Sequence, residues 1–459
     1  MLTSWAMPVV LAGILAASFV VSPRVRHVEG FFRGMAPGGV APGLLTLVLS
    51  QVTTWVFARS LMNAAILGYY YGIAGALAYA AYYLSFLTGA AIIDSLRFRH
   101  GYGSVQAFLA ARFGQAGSGC YNALVAVRLL SEVFANLLVV GIIFGAAGTL
   151  ANTTAIAVVA VLTLAYSTLG GLRASLRTDV LQMTLLLGVL GALMLQLGFG
   201  GIFQMDAILS SSPDTAGPGW VLLAVAALQV WSYPLHDPVM MDRGLIADRR
   251  TTRRSFLHAA WLSALCILAF GVIGVAAGLA RSEGEALMAT LGRLLDPATL
   301  TMVNLVLVLS AVSTLDSTLS SASKLAVIDM RLARPTVANG RVAMGAFMAG
   351  GLALLFLGSE DLFSAVAVSG TAAMYLAPVI VFSLWAGWRV ARWSYLAAFA
   401  AAMLGAALYF LEAGGYTNLI GALAGLEHKY SKLLLICVAV LASGVLAFVA
   451  GRKRSATGA

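Results

Sequence analysis

The chain has 459 residues, of which 61% are hydrophobic and 10% are charged, and its formal net charge is +10. Its mean hydropathy is +0.92. A soluble domain of this size has no way to shield so much apolar side chain from water, so the composition excludes a soluble protein and predicts a polytopic membrane protein. The three cysteines, Cys120, Cys266 and Cys437, show neither metal-ligand spacing nor a disulfide pattern. We interpret them as small packing residues.

Thirteen apolar segments predict membrane-spanning helices. In chain order they lie near 5–22, 42–66, 69–93, 120–148, 153–170, 178–199, 219–241, 255–280, 300–329, 341–357, 362–386, 394–412 and 430–450. The first segment is too long for a signal peptide and lacks a clear cleavage pattern, so we interpret it as an anchor helix.

The positive charges of the loops predict the orientation. Alternate loops, together with the C-terminus, carry twenty-one Arg and Lys residues, whereas the opposite loops carry four. Because positive loops stay cytoplasmic, the N-terminus is expected outside and the C-terminus inside. We therefore expect a multi-pass protein of the plasma (inner) membrane whose basic runs reflect topology, with the lipid bilayer and no nucleic acid as partner.

The segment 310–329 combines a membrane helix with many polar groups. It carries eight Ser or Thr hydroxyls and the carboxylate of Asp316. Ser313 and Thr314, with a carbonyl one turn earlier at Ser310, offer three oxygens to a small hard cation. The alternative is that membrane helices use Ser and Thr for close packing and for hydrogen bonds to their own backbone. Hydroxyl density alone favours packing.

Two predicted spans look interrupted. The span 219–241 contains WSYPLHDP, in which Pro234 and Pro238 each remove a backbone donor. The span 42–66 contains the polar run SQVTTW. Backbone opened within a membrane has to face protein or a water-filled cavity, and paired broken helices mark binding sites in secondary transporters. Each interrupted span is the first of five predicted helices. Because five is an odd number, the second set crosses the membrane in the opposite direction to the first, so the two sets are inverted repeats.

Ionisable groups inside the predicted membrane segments are the next functional candidates, because each is costly unless it is paired or hydrated. Arg128 and Glu132 are four residues apart on one helix and are expected to pair. Asp179 begins a helix and either complements the helix dipole or belongs to a second cation path. Arg59 has no acid four residues away, so it needs a partner on another helix or an anionic group of a ligand.

Five ordered motifs resemble the sodium:solute symporters, the family that includes sodium-coupled proline, glucose, pantothenate and urea transporters. The motifs are EGFFRGMAP (29–37), GYGSVQAFLAARFG (101–114), YSTLGGLRASLRTDVLQ (166–182), DPVMMDRGLIAD (237–248) and STLDSTLSSASKLAVIDM (313–330). The third is the most specific match, and the resemblance runs over roughly 29–390.

The resemblance implies an all-α, leucine-transporter-like fold, a five-plus-five inverted-repeat core with one helix before it and two after it. The expected units are 1–28, 29–200, 201–390 and 391–459. A co-transported sodium ion is implied at Ser310, Ser313 and Thr314. Aligning the first broken helix on Gly72 adds the carbonyls of Thr53 and Val56, whereas aligning it on Trp55 would move them four residues earlier. Asp179 and Asp316 are candidates for a second cation path.

The predicted solute-binding residues come from the two interrupted helices: Trp55, Arg59, Ser60, Asn63, Trp231, Tyr233 and Asp237. Asp237 stands where many family members have Gln, and Arg59 falls beside positions that contact substrate. An Arg and an Asp facing one cavity would suit a zwitterion or an organic acid with a polar tail. Segment 54–75 also resembles, distantly, the urea-transporter branch.

The sequence therefore predicts a symporter, not an enzyme. We expect sodium-driven import by alternating access of a small polar solute, such as an amino acid, an organic acid or a urea-like molecule. The alternatives are a proton-coupled or uncoupled carrier of the same fold, or a transporter-like solute sensor. Solute identity, stoichiometry and oligomeric state stay open at this point.

Overall fold

The computed structural model describes residues 2–355 and 362–453, and within these ranges the chain is helical, with one bridge pairing between Val390 and Arg452. The α-helices are α1 (Leu2–Val21), α2 (Val28–Arg33), α3 (Leu44–Thr53), α4 (Ala58–Ala81), α5 (Ser85–Ile93), α6 (Val105–Phe144), α7 (Leu150–Gly170), α8 (Leu172–Phe199), α9 (Met205–Leu209), α10 (Pro218–Gln229), α11 (Pro238–Gly244), α12 (Arg249–Leu279), α13 (Leu287–Leu294), α14 (Pro297–Lys324), α15 (Val337–Leu354), α16 (Leu362–Ala373), α17 (Leu376–Pro378), α18 (Arg392–Ala413), α19 (Leu419–Ala424) and α20 (Lys429–Ala450). Short 3-10 turns cover Tyr82–Leu84 and Tyr233–His236, and wider π turns cover Asp94–Arg99, Leu325–Asp329 and Val379–Trp385.

The described helices match a membrane protein in length and composition. Ten helical stretches are long and apolar enough to cross a membrane, and three shorter apolar helices accompany them. Two of the shorter helices, α3 and α10, are the first halves of the predicted interrupted spans. The all-α membrane architecture is therefore confirmed. The end of the predicted span 341–357 and the last part of the basic tail, 454–459, lie outside the described residues.

Both predicted interruptions are present. The chain leaves the helical conformation between α3 and α4, over residues 54–57, and again between α10 and α11. At the second break the carboxylate of Asp237 caps α11 by accepting from the Met240 N–H at 3.0 Å. Such a cap satisfies a donor that the helix start would otherwise leave unpaired. The second break is thus an ordered turn with its own hydrogen bonding.

The first two spans meet at Gly72, further along the chain than predicted. Tyr79 donates to the Ser60 hydroxyl at 3.1 Å. These residues would be about 28 Å apart in a straight helix, so the chain reverses between them. The reversal occurs at Gly72, whose φ of 63° and ψ of −153° suit glycine. Hydropathy placed the gap at 67–68 because the apolar character continues through the turn.

Glycines bring the arms of α4 unusually close to α12. A Cβ atom at Gly274 would lie 2.0 Å from the carbonyl oxygen of Ala65, and one at Gly278 would lie 2.4 Å from that of Tyr69. Membrane helices associate through such small residues because the apolar lipid gives little hydrophobic drive. This contact fixes α4 on one side, while α14 packs against α6 and α8 and crosses the first break.

We expect Gly72→Ala to destabilise the chain by at least about 1–3 kcal/mol, the range for a residue forced into a strained backbone conformation. The new Cβ atom would also lie 2.5 Å from the Ser211 carbonyl oxygen. The measurement is the midpoint of thermal unfolding in detergent. Gly188→Ala in α8 is the matched control, because nothing lies within 4 Å of its added Cβ. Equal midpoints for the two variants would contradict the assignment of the turn.

Candidate functional site

The first helix break faces the serine-rich helix α14. The Ser310 hydroxyl donates to the Val56 carbonyl at 2.5 Å, and the Thr314 hydroxyl donates to the Thr53 carbonyl at 3.2 Å. All four residues are buried. Four of the five residues predicted for the sodium site are therefore in contact, across more than 250 residues of sequence. The partners are those that the alignment on Gly72 gives.

The oxygens at this junction are of the kind that a hard cation binds. Carbonyl and hydroxyl oxygens bind such ions at about 2.3–2.6 Å, and two oxygens on neighbouring coordination positions then lie about 3.2–3.6 Å apart. The Thr314 and Thr53 oxygens have a 3.2 Å separation. The Ser310 and Val56 oxygens, in contrast, are 2.5 Å apart and would have to separate for both to bind one ion. Within the described residues no group of three or more His, Cys, Asp or Glu is placed to hold a metal. The oxygens at the junction are neutral carbonyl and hydroxyl groups.

Ser313, the fifth predicted residue, turns toward α8. Its hydroxyl donates to a carboxylate oxygen of Asp179 at 3.3 Å. Asp179 also accepts from the hydroxyls of Ser50 at 2.5 Å and Ser317 at 3.1 Å. The Asp179 carboxylate is therefore hydrogen-bonded to one predicted sodium ligand, Ser313, and to Ser50. The Ser50 carbonyl in turn accepts from the Thr53 hydroxyl at 2.6 Å.

A buried arginine that the sequence reasoning did not single out neutralises Asp179. The Arg243 guanidinium lies 3.1 Å from the Asp179 carboxylate, and both side chains are completely buried. It also donates to the hydroxyls of Ser50 at 2.6 Å and Ser317 at 2.8 Å. Arg243 lies in the last turn of α11, two residues past the end of the predicted span 219–241, so it falls among the positive charges assigned to the cytoplasmic loops. Asp179 is ion-paired within the protein.

Asp316 lies near this cluster on the same helix as Ser317. One of its oxygens accepts from the Thr178 hydroxyl at 2.5 Å, and the other has no hydrogen-bond partner within the described residues. The side chain is fully buried. The role of Asp179 and Asp316 as a cation path stays a prediction.

The second break is tied to α6 by a three-membered charge cluster. The Arg128 guanidinium lies 3.0 Å from Glu132, as predicted, and 2.6 Å from Asp237. It also donates to the Tyr233 hydroxyl at 3.2 Å. All of these side chains are buried. Asp237 is therefore paired with Arg128, and its predicted contact with solute stays a prediction.

A small aromatic cavity lies between the two breaks. Its volume is about 20 Å³, room for about one water molecule. The lining residues are Trp55, Phe57, Ser60, Tyr79, Tyr82, Tyr83, Arg128 and Tyr233. Of the predicted solute residues it brings together Trp55, Ser60 and Tyr233. Asn63 lies beside it, with its amide 3.5 Å from the Tyr79 hydroxyl, whereas Trp231 is on the outer surface with 49% of its area exposed.

Arg59 differs from the other buried arginines. Only 2% of its surface is exposed. Among the described side chains, those of residues 7–355 and 367–453, it forms no ion pair or side-chain hydrogen bond, and its guanidinium lies 5.2 Å from the centre of the Phe57 ring. Phe57 is both the residue that precedes α4 and a wall of the aromatic cavity.

The fold is shared with solved sodium- and cation-coupled transporters. A Na+-coupled sialic acid symporter, solved in a substrate-bound outward-open state, is similar over 98% of this chain and 99% of its own, with a TM-score of 0.73 at 16% identity. Mhp1, a nucleobase-cation-symport-1 family transporter, is similar in its closed state with bromovinylhydantoin bound, over 90% of this chain and 95% of its own, with a TM-score of 0.58 at 14% identity. The chain has a leucine-transporter-like fold.

The inward-facing conformation of Mhp1 is less similar. It covers 93% of this chain and 95% of its own, with a TM-score of 0.50 at 16% identity. The sequence matches no protein-family profile and no curated protein. At these identities the likeness shows a multi-pass membrane protein with the fold of alternating-access transporters, and the functional assignment has to come from the site.

Proposed function

We propose that the chain is a sodium-coupled symporter of the sodium:solute symporter family that imports a small polar organic solute. The main support for this proposal is the junction of α14 with the first break. There the Thr314 hydroxyl donates to the Thr53 carbonyl and the Ser310 hydroxyl donates to the Val56 carbonyl. An ion held there would join the broken helix to α14 and favour the conformations in which they touch. Coupling arises when solute favours the same conformations.

The distribution of cavities supports alternating access. The central cavity holds about 20 Å³, whereas a cavity of about 910 Å³ lies at the end of α14 that the loop charges predict to be cytoplasmic. Lys324 lines the larger cavity and lies 2.7 Å from Asp242 and 3.0 Å from Asp329. A solute leaving the centre on this side would pass this cluster. The proposal includes the predicted outside N-terminus and the plasma (inner) membrane location.

Proton coupling is the second candidate, because Asp316 is a buried carboxylate with one oxygen unpartnered within the described residues. A proton on that oxygen would remove a costly buried charge. Proteoliposomes with separately imposed Na+, K+ and pH gradients distinguish the two. Labelled proline, benzoate and urea represent the three solute classes. Uptake that follows the pH gradient and is indifferent to sodium would contradict the sodium proposal.

Thr314→Val is expected to weaken sodium binding at least about 10-fold, because it removes one ligand oxygen at nearly constant volume and a lost hydrogen bond to a charged group costs about 1.5–3 kcal/mol. The readout is the rise of the unfolding midpoint as NaCl replaces KCl, since a ligand stabilises the folded state by mass action. Thr184→Val, in an exposed position of α8, is the control. An unchanged sodium response in the Thr314 variant would exclude this junction as the site.

A further inference from the structure

Three donors at the start of α4 have no acceptor within the described part of the chain. The backbone N–H groups of Phe57, Ala58 and Arg59 precede the first helical hydrogen bonds, which begin with Ser60 and Leu61 donating to the Phe57 carbonyl. No side chain caps this helix start. A helix N-terminus carries a partial positive charge and attracts anions. Other hydrogen-bond donors, described next, lie near this helix start and would also attract an anion.

The Arg59 guanidinium provides the second and independent observation. Only 2% of the Arg59 surface is exposed, and its Nε has no acceptor among the described residues. The guanidinium lies over the ring of Phe57, the residue that precedes α4. The indole N–H of Trp55, on the other side of the break, is also buried without an acceptor. Buried donors without acceptors are costly, and a ligand that supplies oxygens removes the cost.

The nearby carboxylates do not serve as these acceptors. Glu132 and Asp237 are both held by Arg128, and neither lines the central cavity. Their surplus negative charge balances Arg59 at a distance, but it leaves the donors at the start of α4 unsatisfied. The same arrangement leaves no free carboxylate in the cavity wall for a ligand ammonium group.

The cavity walls define the other end of the ligand. The Trp55 ring packs against Tyr83 and Tyr233, with ring centres 5.5 Å and 5.3 Å apart. Tyr82 and Phe57 complete an aromatic wall. Flat or apolar groups pack well against such surfaces. Charge and wall chemistry therefore select for a molecule with one acidic end and a compact apolar body.

We infer that the solute is a small monocarboxylate, whose carboxylate binds Arg59 and the first N–H groups of α4 and whose apolar or aromatic body occupies the widened central cavity. The zwitterion expected from an Arg and an Asp in one cavity is disfavoured, because Asp237 is already paired. This inference rests on the proposed function and deepens it by naming the substrate class. The cavity holds about 20 Å³ here and Arg59 does not itself line it. The Arg59 guanidinium lies over the ring of Phe57, which is a cavity wall, so Phe57 has to move for one ligand to reach both.

The test is thermal unfolding of the purified full-length chain in saturating NaCl with matched acids and amides. The probes are benzoate and benzamide, nicotinate and nicotinamide, and phenylalanine as a zwitterion. We expect an acid to raise the midpoint at millimolar concentration while its amide leaves it unchanged. Arg59→Gln should weaken that acid at least 30-fold, and Arg59→Lys should retain part of the response.

Arg281→Gln, an exposed arginine over Tyr69 and Tyr70, is the matched control and should respond like the parent chain. The inference would be overturned if amides and acids raised the midpoint equally, if only phenylalanine raised it, or if no acid raised it. It would also be overturned if Arg59→Gln responded to the acid like the parent chain. The sodium response without solute is read separately. Its loss would contradict the sodium site and leave the acid-against-amide comparison interpretable.

Discussion

Asp179→Asn is expected to lower sodium affinity about 100-fold. The substitution leaves the Arg243 guanidinium charged, with only the side chain of residue 179 between it and Ser313, a proposed sodium ligand. Two unit charges about 6 Å apart in a medium of effective dielectric constant about 20 interact by ~2.8 kcal/mol, and here that interaction is repulsive. The readout is the half-saturating NaCl concentration in thermal unfolding and in solute uptake.

The paired variant isolates electrostatics from misfolding. Arg243→Gln combined with Asp179→Asn removes both charges and keeps hydrogen-bonding groups at both positions, so sodium affinity should recover to within about 10-fold of the parent chain. Asp94→Asn, which breaks an exposed pair with Arg249, serves as the control for a generic lost ion pair. A single Asp179→Asn variant that binds sodium normally would show that Arg243 does not act on the ion.

Arg128→Met is expected to destabilise the chain by about 3–5 kcal/mol, the cost of leaving buried charge without its partner. Glu132 and Asp237 would then face each other with no cation in contact. The cap on α11 would be strained as well, because Asp237 provides it. Folded yield and unfolding midpoint in detergent are the measurements, and uptake should be lost with the fold.

The triple variant Arg128→Met, Glu132→Gln and Asp237→Asn removes the same cation without leaving buried acids. Its stability should recover by more than half, since replacing a whole buried ionic group costs much less than breaking it. Uptake should stay impaired because the second break loses its link to α6. Equal instability of the single and triple variants would point to packing by the arginine stem instead of charge.

The sequence predicted the helical membrane fold and the contact between α14 and the first break. The hydroxyl-rich helix and the interrupted helix are each visible as local patterns, whereas the contact between them was implied by the resemblance to the sodium:solute symporters. The pairs of Arg128 with Asp237 and of Arg243 with Asp179 were missed. They join residues 109 and 64 positions apart, and helical spacing carries no information on partners from other helices.

Trp231 illustrates a different limit. It stands beside the prolines of the second break, and its neighbour Tyr233 lines the cavity, yet Trp231 itself is 49% exposed. The chain around it runs through an irregular turn, where neither a 3.6-residue nor a 2-residue period fixes the side-chain direction. Residue type marked the segment correctly, but only the backbone conformation determines which side chain faces inward.

The balance of charge around the centre has a consequence for the response to membrane voltage. The buried charges there are the cations Arg59, Arg128 and Arg243 and the carboxylates Glu132, Asp179, Asp237 and Asp316, with Arg128 and Arg243 in ion pairs. If one sodium ion travels with one carboxylate, the loaded centre gains no net charge, and the potential, worth about 2.3 kcal/mol per charge per 100 mV, does no work on that step. Such a carrier would concentrate its solute from the sodium concentration ratio alone and would keep working in a depolarised membrane.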